Sequence, residues 1–242
     1  MTHSFDAAFI RAKAEEFKSS SLTDILAWTW ETFGERAAIG TSFQGAGLVV
    51  MHTAYRAGFR FPVFTIDTGL LFPETLRLKQ DIESLLDVRI ESLLPDQSVQ
   101  QQGREFGEEL WKSKPDLCCT LRKVEPLQKK LATLDVWITG LRREQGETRE
   151  GIGIVELYPF DRLRDRSIIK LNPMASWSRD QVQAYIATNA LPTNPLAALG
   201  YRSIGCQPCT RPAGANDDER AGRWTGFDKA ECGIHTFLGE KL

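Results

Sequence analysis

The chain has 242 residues, with 30 Lys and Arg against 32 Asp and Glu and a net charge of -2. That length suffices for one large α/β domain or two small ones with a core that needs no disulfides, and the near balance of charge excludes a global attraction to nucleic acid or an anionic membrane. No apolar run approaches the ~20 residues that span a bilayer, and residues 1–6 lack a basic-then-apolar export pattern; a cytoplasmic protein is expected, in which paired cysteines are metal ligands or redox groups sooner than structural disulfides.

Apolar positions at helical spacing (Phe9, Ile10, Ala14, Phe17, then Leu22, Ile25, Leu26, Trp28) predict two amphipathic helices between about residues 5 and 33, the second capped by Ser21 or Thr23. Residues 37–41 form a short apolar strand, which runs into Ser42-Phe43-Gln44-Gly45-Ala46-Gly47 and a helix-like stretch from Leu48. Strand, glycine turn and helix aim unpaired backbone N–H groups at an anion. The stretch is neither the lysine-bearing P-loop nor the dinucleotide fingerprint, so a phosphate site and an unliganded turn both stay open.

Residues 61–67 make a second buried strand, followed by Thr68-Gly69 and a helix from Pro73, a residue suited to a first helical turn, to about Leu86. Residues 87–93, 136–140 and 168–171 read as three further strands with helices between them. Strands alternating with helices imply an α/β fold with a mostly parallel, doubly wound sheet. Ligands of such sheets bind beyond the carboxyl ends of the strands, where residues 42–47, 67–69 and 140–143 fall.

From about Leu191 onward, Pro192, Asn194, Pro195, Gly200, Pro208, Pro212 and Gly214 break both periodicities. A loop-rich stretch of that length needs something to fix it, and a metal centre is a candidate. The expected organisation is a single domain: N-terminal helices to about residue 35, an α/β nucleotide-binding core over about 36–190, and a loop-rich segment with a mobile tail over about 191–242.

Four of the five cysteines form two pairs, Cys118-Cys119 and Cys206-Gln207-Pro208-Cys209. A C-x-x-C alone is ambiguous between zinc, an iron-sulfur cluster and a redox dithiol. The vicinal pair narrows the choice, because neighbouring residues reach one tetrahedral ion only with strain, whereas a cubane offers each cysteine its own iron. A [4Fe-4S] cluster is therefore favoured over zinc, with four buried thiols and no metal as the plainer alternative. Lys123, four residues past Cys119, shares a helix face with it if residues 117–131 are helical; it sits either between the cluster and an anion or in solvent. Arg142, Arg143, Arg149, Arg220 and Arg223 gather in loops and suit phosphate or sulfate oxygens. Cys232 stands apart, in a stretch too short and polar to bury it deeply, and reads as a reactive thiol with His235 nearby.

Together these residues resemble the assimilatory adenylyl-sulfate (APS) and phosphoadenylyl-sulfate (PAPS) reductases, thioredoxin-dependent enzymes of sulfate assimilation, over roughly residues 37–235. The resemblance rests on Ser42 to Gly45, Asp67-Thr68-Gly69 with Pro73-Glu74-Thr75, Cys118-Cys119 with Arg122-Lys123, Thr139-Gly140 with Arg142-Arg143, and residues 205–212 and 231–235. It implies an adenine nucleotide α-hydrolase-like fold and a two-step reaction. Cys232 attacks the sulfur of adenosine 5'-phosphosulfate to give an enzyme S-sulfonate and AMP, and a thioredoxin thiol then attacks the Cys232 sulfur and releases sulfite. It further implies that Cys118, Cys119, Cys206 and Cys209 hold a [4Fe-4S] cluster without electron-transfer duty. Ser42, Gln44, Gly45, Thr68, Gly69, Lys123, Arg142, Arg143, Arg220, Arg223 and His235 fall on positions that bind the nucleotide, its phosphosulfate or the closed tail.

One departure bears on substrate. Where many members have Ser-Phe-Ser-Gly-Ala-Glu-Asp, this chain has Ser42-Phe43-Gln44-Gly45-Ala46-Gly47-Leu48, losing a hydroxyl and two acids. The cysteine quartet points to APS, with the 3'-phosphorylated substrate as the alternative. An ATP pyrophosphatase of the related nucleotide group would carry a Ser-Gly-Gly-x-Asp-Ser loop, which residues 42–47 lack. A zinc-stabilised binding module is the non-enzyme alternative.

Overall fold

The computed structural model describes residues 6–161, 164–214, 217–229 and 231–235. The expectations for the first five residues and for a mobile tail beyond His235 lie outside the described residues. Six strands, β1 (Ala37–Gly40), β2 (Val63–Ile66), β3 (Ile90–Leu93), β4 (Val136–Ile138), β5 (Val155–Asp161) and β6 (Arg166–Leu171), form one sheet in the order β3-β2-β1-β4-β6-β5. The chain divides into two compact units.

The first unit comprises Met1–Thr41, Gly45–Val63 and Thr133–Leu191. Its helices α1 (Ala7–Glu16) and α2 (Leu22–Phe33) match the two predicted amphipathic stretches. Ser21, not Thr23, caps α2: its hydroxyl accepts from Asp24 N at 3.1 Å while the Asp24 carboxylate accepts from Ser21 N at 3.2 Å, satisfying two end donors at once. β1, β4 and β6 pair in parallel, with Ile39 opposite Ile138 and Ile138 opposite Leu171. All residues of β4 are buried, as expected of a parallel strand covered on both faces. Ile25, Leu26, Ile39, Met51, Ile138 and Leu171 are fully buried core side chains, each stabilising the fold by about 1.5–3 kcal/mol relative to exposure.

Helix α3 (Gly45–Arg56) begins three residues before the expected Leu48. Its glycines are there for clearance: a Cβ at Gly47 would lie 2.7 Å from Thr41 Oγ1, and one at Gly45 2.9 Å from Val182. The sequence pattern also misses β5, which runs antiparallel to β6 with an irregularity between Pro159 and Asp161. Proline removes a ladder donor and belongs on edge strands, and β5 is the edge. Lys170 on β6 is buried with its ammonium 4.4 Å from the Tyr158 ring centroid, 5.5 Å from that of Trp137 and 3.8 Å from the Glu156 carboxylate. A buried charge persists where such partners replace its hydration. Helix α9 (Arg179–Thr188), capped by Ser178, completes the unit.

The second unit comprises Ser42–Gln44, Phe64–Ala132 and Pro192–Leu242. Helix α4 (Pro73–Leu86) starts and stops where the sequence expects: Pro73 needs no hydrogen bond at the first turn, and Asp87 ends the helix in the left-handed region at φ 49°. Beyond β2, Asp67 N donates to Leu93 O of β3 at 3.0 Å. Helices α5 (Val99–Phe106), α6 (Leu110–Ser113), α7 (Pro115–Cys119) and α8 (Glu125–Leu131) follow, around a core of Phe64, Ile82, Leu110, Leu127 and Leu131. After Pro192 the described residues hold only short 3-10 turns, Pro195–Leu199 and Gln207–Cys209. Isolated bridges pin this stretch at Leu71–Cys206 and Thr210–Arg223, and Asn194 Nδ2 donates to Thr75 Oγ1 at 3.0 Å. No helix among the described residues is long and apolar enough to cross a membrane.

Candidate active site

The helical run from Pro115 to Leu131 forms as expected but contains a π-helical turn at Thr120–Val124. Lys123 acts electrostatically on Cys119, and it is buried, 9% exposed, so the solvated-lysine alternative is set aside. Its neighbour Arg122 is buried too: Nε donates to Thr68 O at 2.6 Å and Nη1 to Gln102 Oε1 at 3.0 Å. The Thr68 hydroxyl lies 3.3 Å from Cys206 Sγ, and Gln102 Nε2 reaches to 4.0 Å of Cys118 Sγ. Gly69 has φ +68°, and a Cβ there would lie 3.2 Å from Arg122 Nη2, so glycine serves both backbone and guanidinium. Arg122 and Gln102 thus tie the β2 exit to α5 and α7. Nothing in residue spacing announced Gln102.

Cys206 and Cys209 sit on a tight turn held on every side. Gln207 N donates to Leu70 O at 2.7 Å, Cys209 N to Cys206 O at 3.0 Å, and the Thr210 hydroxyl to Cys206 O at 2.8 Å. Trp224 N donates to Cys209 O at 3.1 Å. Any Cβ on Gly205 would collide with the Arg223 guanidinium, and one on Gly222 with Arg211 O. Gln44, expected at the substrate, uses its amide on the main chain: Oε1 accepts from Ile204 N at 3.0 Å, while Nε2 donates to Ile204 O at 3.0 Å and to Ser42 Oγ at 3.1 Å.

Cys232 corrects the expectation of a shallow thiol. It is 8% exposed and packs with Cys119 and Trp224, against Cys209 and Ile234. Cys232 is buried in so polar a stretch where the surrounding charges are matched. Glu231 pairs with Arg220 at 3.0 Å, Lys229 pairs with Asp116, and Arg223, Arg220 and Lys229 lie 4.5, 5.5 and 5.5 Å from the Trp224 ring centroid. The sequence signal was two arginines just before a tryptophan; Lys229 and Asp116 gave none. His235 is half-buried in the same segment.

The five thiols are not equivalent. Burial pushes Cys118 up to about 11, with the Cys206 and Cys209 thiols adding to it, and Cys119 up to about 12 against the pull of Lys123. Burial also raises Cys209. Cys232 is buried as well, yet Lys123, the Ile234 backbone N–H and Arg223 outweigh the desolvation and hold its thiol below the ordinary range. Burial would depress Lys123, but the Cys206, Cys232 and Cys119 thiols hold its ammonium above the usual lysine range. No group of three or more His, Cys, Asp or Glu among the described residues is arranged to grip a single metal ion.

The remaining predicted site residues lie in the first unit. Arg142 is buried, its Nη1 donating to Glu144 at 2.9 Å and to Trp177 O at 3.5 Å. Arg143 donates from its backbone N to Ala175 O and from Nε to Ile152 O, both at 3.0 Å. Gly140 abuts the first turn of α3, where an added Cβ would lie 2.6 Å from Gly47 N.

Residues 36–212 match the family described as phosphoadenosine phosphosulfate reductase domain. The chain is 42% identical over 228 residues to the adenosine 5'-phosphosulfate reductase of Streptomyces coelicolor, covering 94% of each chain. It is 41% identical to adenosine 5'-phosphosulfate reductase 2 of Bacillus subtilis over 88% of each. Among solved structures, a phosphate complex of the phosphoadenylyl-sulfate reductase from Candida auris superposes with a TM-score of 0.75 and 29% identity, over 87% of this chain and 100% of that one.

Proposed function

Because the chain belongs to the phosphoadenosine phosphosulfate reductase family, we propose that it reduces adenosine 5'-phosphosulfate to sulfite and AMP, with Cys232 as nucleophile. The observation that carries this reading is the setting of Cys232, buried against Cys119 and Trp224, where Lys123 and Arg223 favour its thiolate. Only the thiolate attacks sulfur. In the first step Cys232 Sγ forms a bond to the sulfate sulfur, the S–O bond to the phosphate breaks, and AMP departs with the electron pair. In the second, a thioredoxin thiolate attacks Cys232 Sγ, sulfite leaves with the electrons of the broken S–S bond, and a second thioredoxin thiol closes its own disulfide and frees Cys232. Reduction of sulfur is thus balanced by oxidation of the dithiol.

Lys123 and Arg223 stabilise the attacking thiolate, and the same cations suit the charge that grows on the departing phosphate. Arg143 and Arg142 are proposed for the phosphosulfate on the resemblance of their motif, as are Ser42, Gln44, Gly45, Thr68, Gly69, Arg220 and His235 for nucleotide or tail. Gln44 would act through its main chain, since its amide is committed to Ile204.

Cys118, Cys119, Cys206 and Cys209 fit a [4Fe-4S] cluster. The donors are all sulfur, and they sit among the buried cations Arg122 and Lys123, which call for nearby negative charge. When bound, the cluster would supply fixed negative charge and order to the loop-rich segment. Relatives named for adenosine 5'-phosphosulfate favour that substrate over its 3'-phosphorylated form. A cytoplasmic location with thioredoxin as reductant completes the proposal. The test is sulfite release from each phosphosulfate with thioredoxin, alongside iron and sulfide analysis of anaerobically purified protein. Turnover of adenosine 5'-phosphosulfate by wild type and none by Cys232→Ser is expected; release from the 3'-phosphorylated substrate alone would overturn the substrate assignment.

A further inference from the structure

Asn172, the first residue past β6, is 0% exposed, and its amide is fully committed. Oδ1 accepts from the Thr139 hydroxyl at 2.6 Å, and Nδ2 donates to Gly153 O at 2.8 Å and to the Glu156 carboxylate at 2.9 Å. Its backbone N donates to Ile154 O at 2.7 Å, and its carbonyl accepts from Ala175 N at 3.0 Å. Three of these partners, Thr139, Gly153 and Ala175, lead to Arg143. Thr139 opens the loop that carries the arginine, and its hydroxyl accepts from Leu141 N at 3.2 Å. Ala175 O takes the Arg143 backbone N–H, and Ile152 O, next to Gly153, takes Arg143 Nε. Main chain and guanidinium of Arg143 therefore both rest on segments that Asn172 pins, through its side chain at Thr139 and Gly153 and through its carbonyl at Ala175.

Acidic, short and apolar residues do not do this. Aspartate would keep the Thr139 bond but turn lone pairs toward Gly153 O and the Glu156 carboxylate. Serine is too short, and leucine leaves buried polar groups unpaired, which is costly where water does not reach. We infer that Asn172 is a positioning residue that sets Arg143, and the Gly140–Arg143 loop with it, to receive the phosphosulfate. This rests on reading Arg143 as a substrate residue.

The experiment measures KM for adenosine 5'-phosphosulfate, kcat, the dissociation constant of AMP, melting temperature and iron content for Asn172→Asp and Thr139→Val, each with Arg143 intact and in an Arg143→Ala background. With Arg143 intact, each variant is expected to raise KM and the AMP constant about tenfold, with kcat within about twofold and iron content unchanged. In the Arg143→Ala background the added loss should shrink below about twofold, since residues acting through one another are not additive. A folded variant with unchanged KM, or a loss that multiplies undiminished in the Arg143→Ala background, overturns the inference. Should Asn172→Asp not fold, Thr139→Val decides, as it removes one hydroxyl and adds no charge. If Arg143→Ala alone leaves KM unchanged, the substrate reading of Arg143 falls and takes the inference with it. If Arg143→Ala raises KM and Asn172→Asp does not, only the inference falls.

Discussion

Cys119 ends helix α7, and Cys232 lies in an irregular stretch after Trp224; both pack on the same indole, and both are buried to nearly the same degree. Lys123 acts on each of them, yet one thiol is driven up to about 12 and the other down. The difference lies in the remaining neighbours. Cys119 also faces the Cys232 and Cys206 thiols, whereas Cys232 receives the Ile234 backbone N–H and the Arg223 guanidinium. Burial raises both thiols and is the largest influence on each, so the neighbours decide which way the net shift falls. Burial also amplifies whichever neighbours are present, because a low dielectric strengthens every charge and dipole within it.

The sharpest test of that contrast exchanges sulfur for oxygen on each side of it. Cys232→Ser should cut sulfite release on the order of 10³-fold or more while iron content and AMP binding stay at wild-type levels. Cys119→Ser should instead lose iron. Normal turnover by Cys232→Ser would break the comparison at its root. A second effect follows from the shared cation. Lys123→Met removes the largest influence lowering Cys232, so its alkylation by iodoacetamide at pH 7 should slow roughly tenfold and the midpoint of the alkylation profile should move to higher pH, read by mass spectrometry of the Cys232 peptide.

Gly205→Ala should act more weakly and through packing. The methyl group collides with Arg223, pushing the guanidinium off Trp224. A stability loss of about 1–3 kcal/mol is expected from overpacking, together with a smaller rise of the Cys232 midpoint than Lys123→Met gives. An unchanged melting temperature would mean that Arg223 has room the structure does not show. The smallest effect belongs to the first unit and serves as a baseline for the pH work. His52, bonded to the Tyr185 hydroxyl at 3.0 Å, is held below the ordinary histidine range by burial and then by Arg56. The unfolded chain takes up that proton first, so this part of the stability is present at neutral pH and lost as pH falls through about 6.5. His52→Gln should flatten the slope of stability in that window without moving the Cys232 profile.

Much of the fold was legible because neighbouring residues decide it. Pro73 and the apolar period of the following turns mark α4, and the buried runs around Ile39, Phe64 and Ile138 mark strands, since period and propensity are local properties. β5 was hidden because Pro159 breaks its run, and only pairing with β6 makes an edge strand of it. The early start of α3 was hidden because Gly45 and Gly47 read as a turn until Val182 and Thr41 are seen to need the space.

The candidate site divides along the same line. By itself the sequence determined which residue types are present and how they are grouped: two thiol pairs, a lone cysteine, Lys123 four residues from Cys119, and two arginines just before Trp224. Those are facts of order along the chain, and they carried the family resemblance. Only the tertiary structure decided that Cys232 is buried, that Lys123 serves two thiols, that Gln44 is committed to Ile204, and that Asn172 stands behind Arg143. Each joins residues distant in the chain, Lys123 with Cys232 for example. The energy of a charge or hydrogen bond depends on separation and dielectric, and spacing in sequence specifies neither.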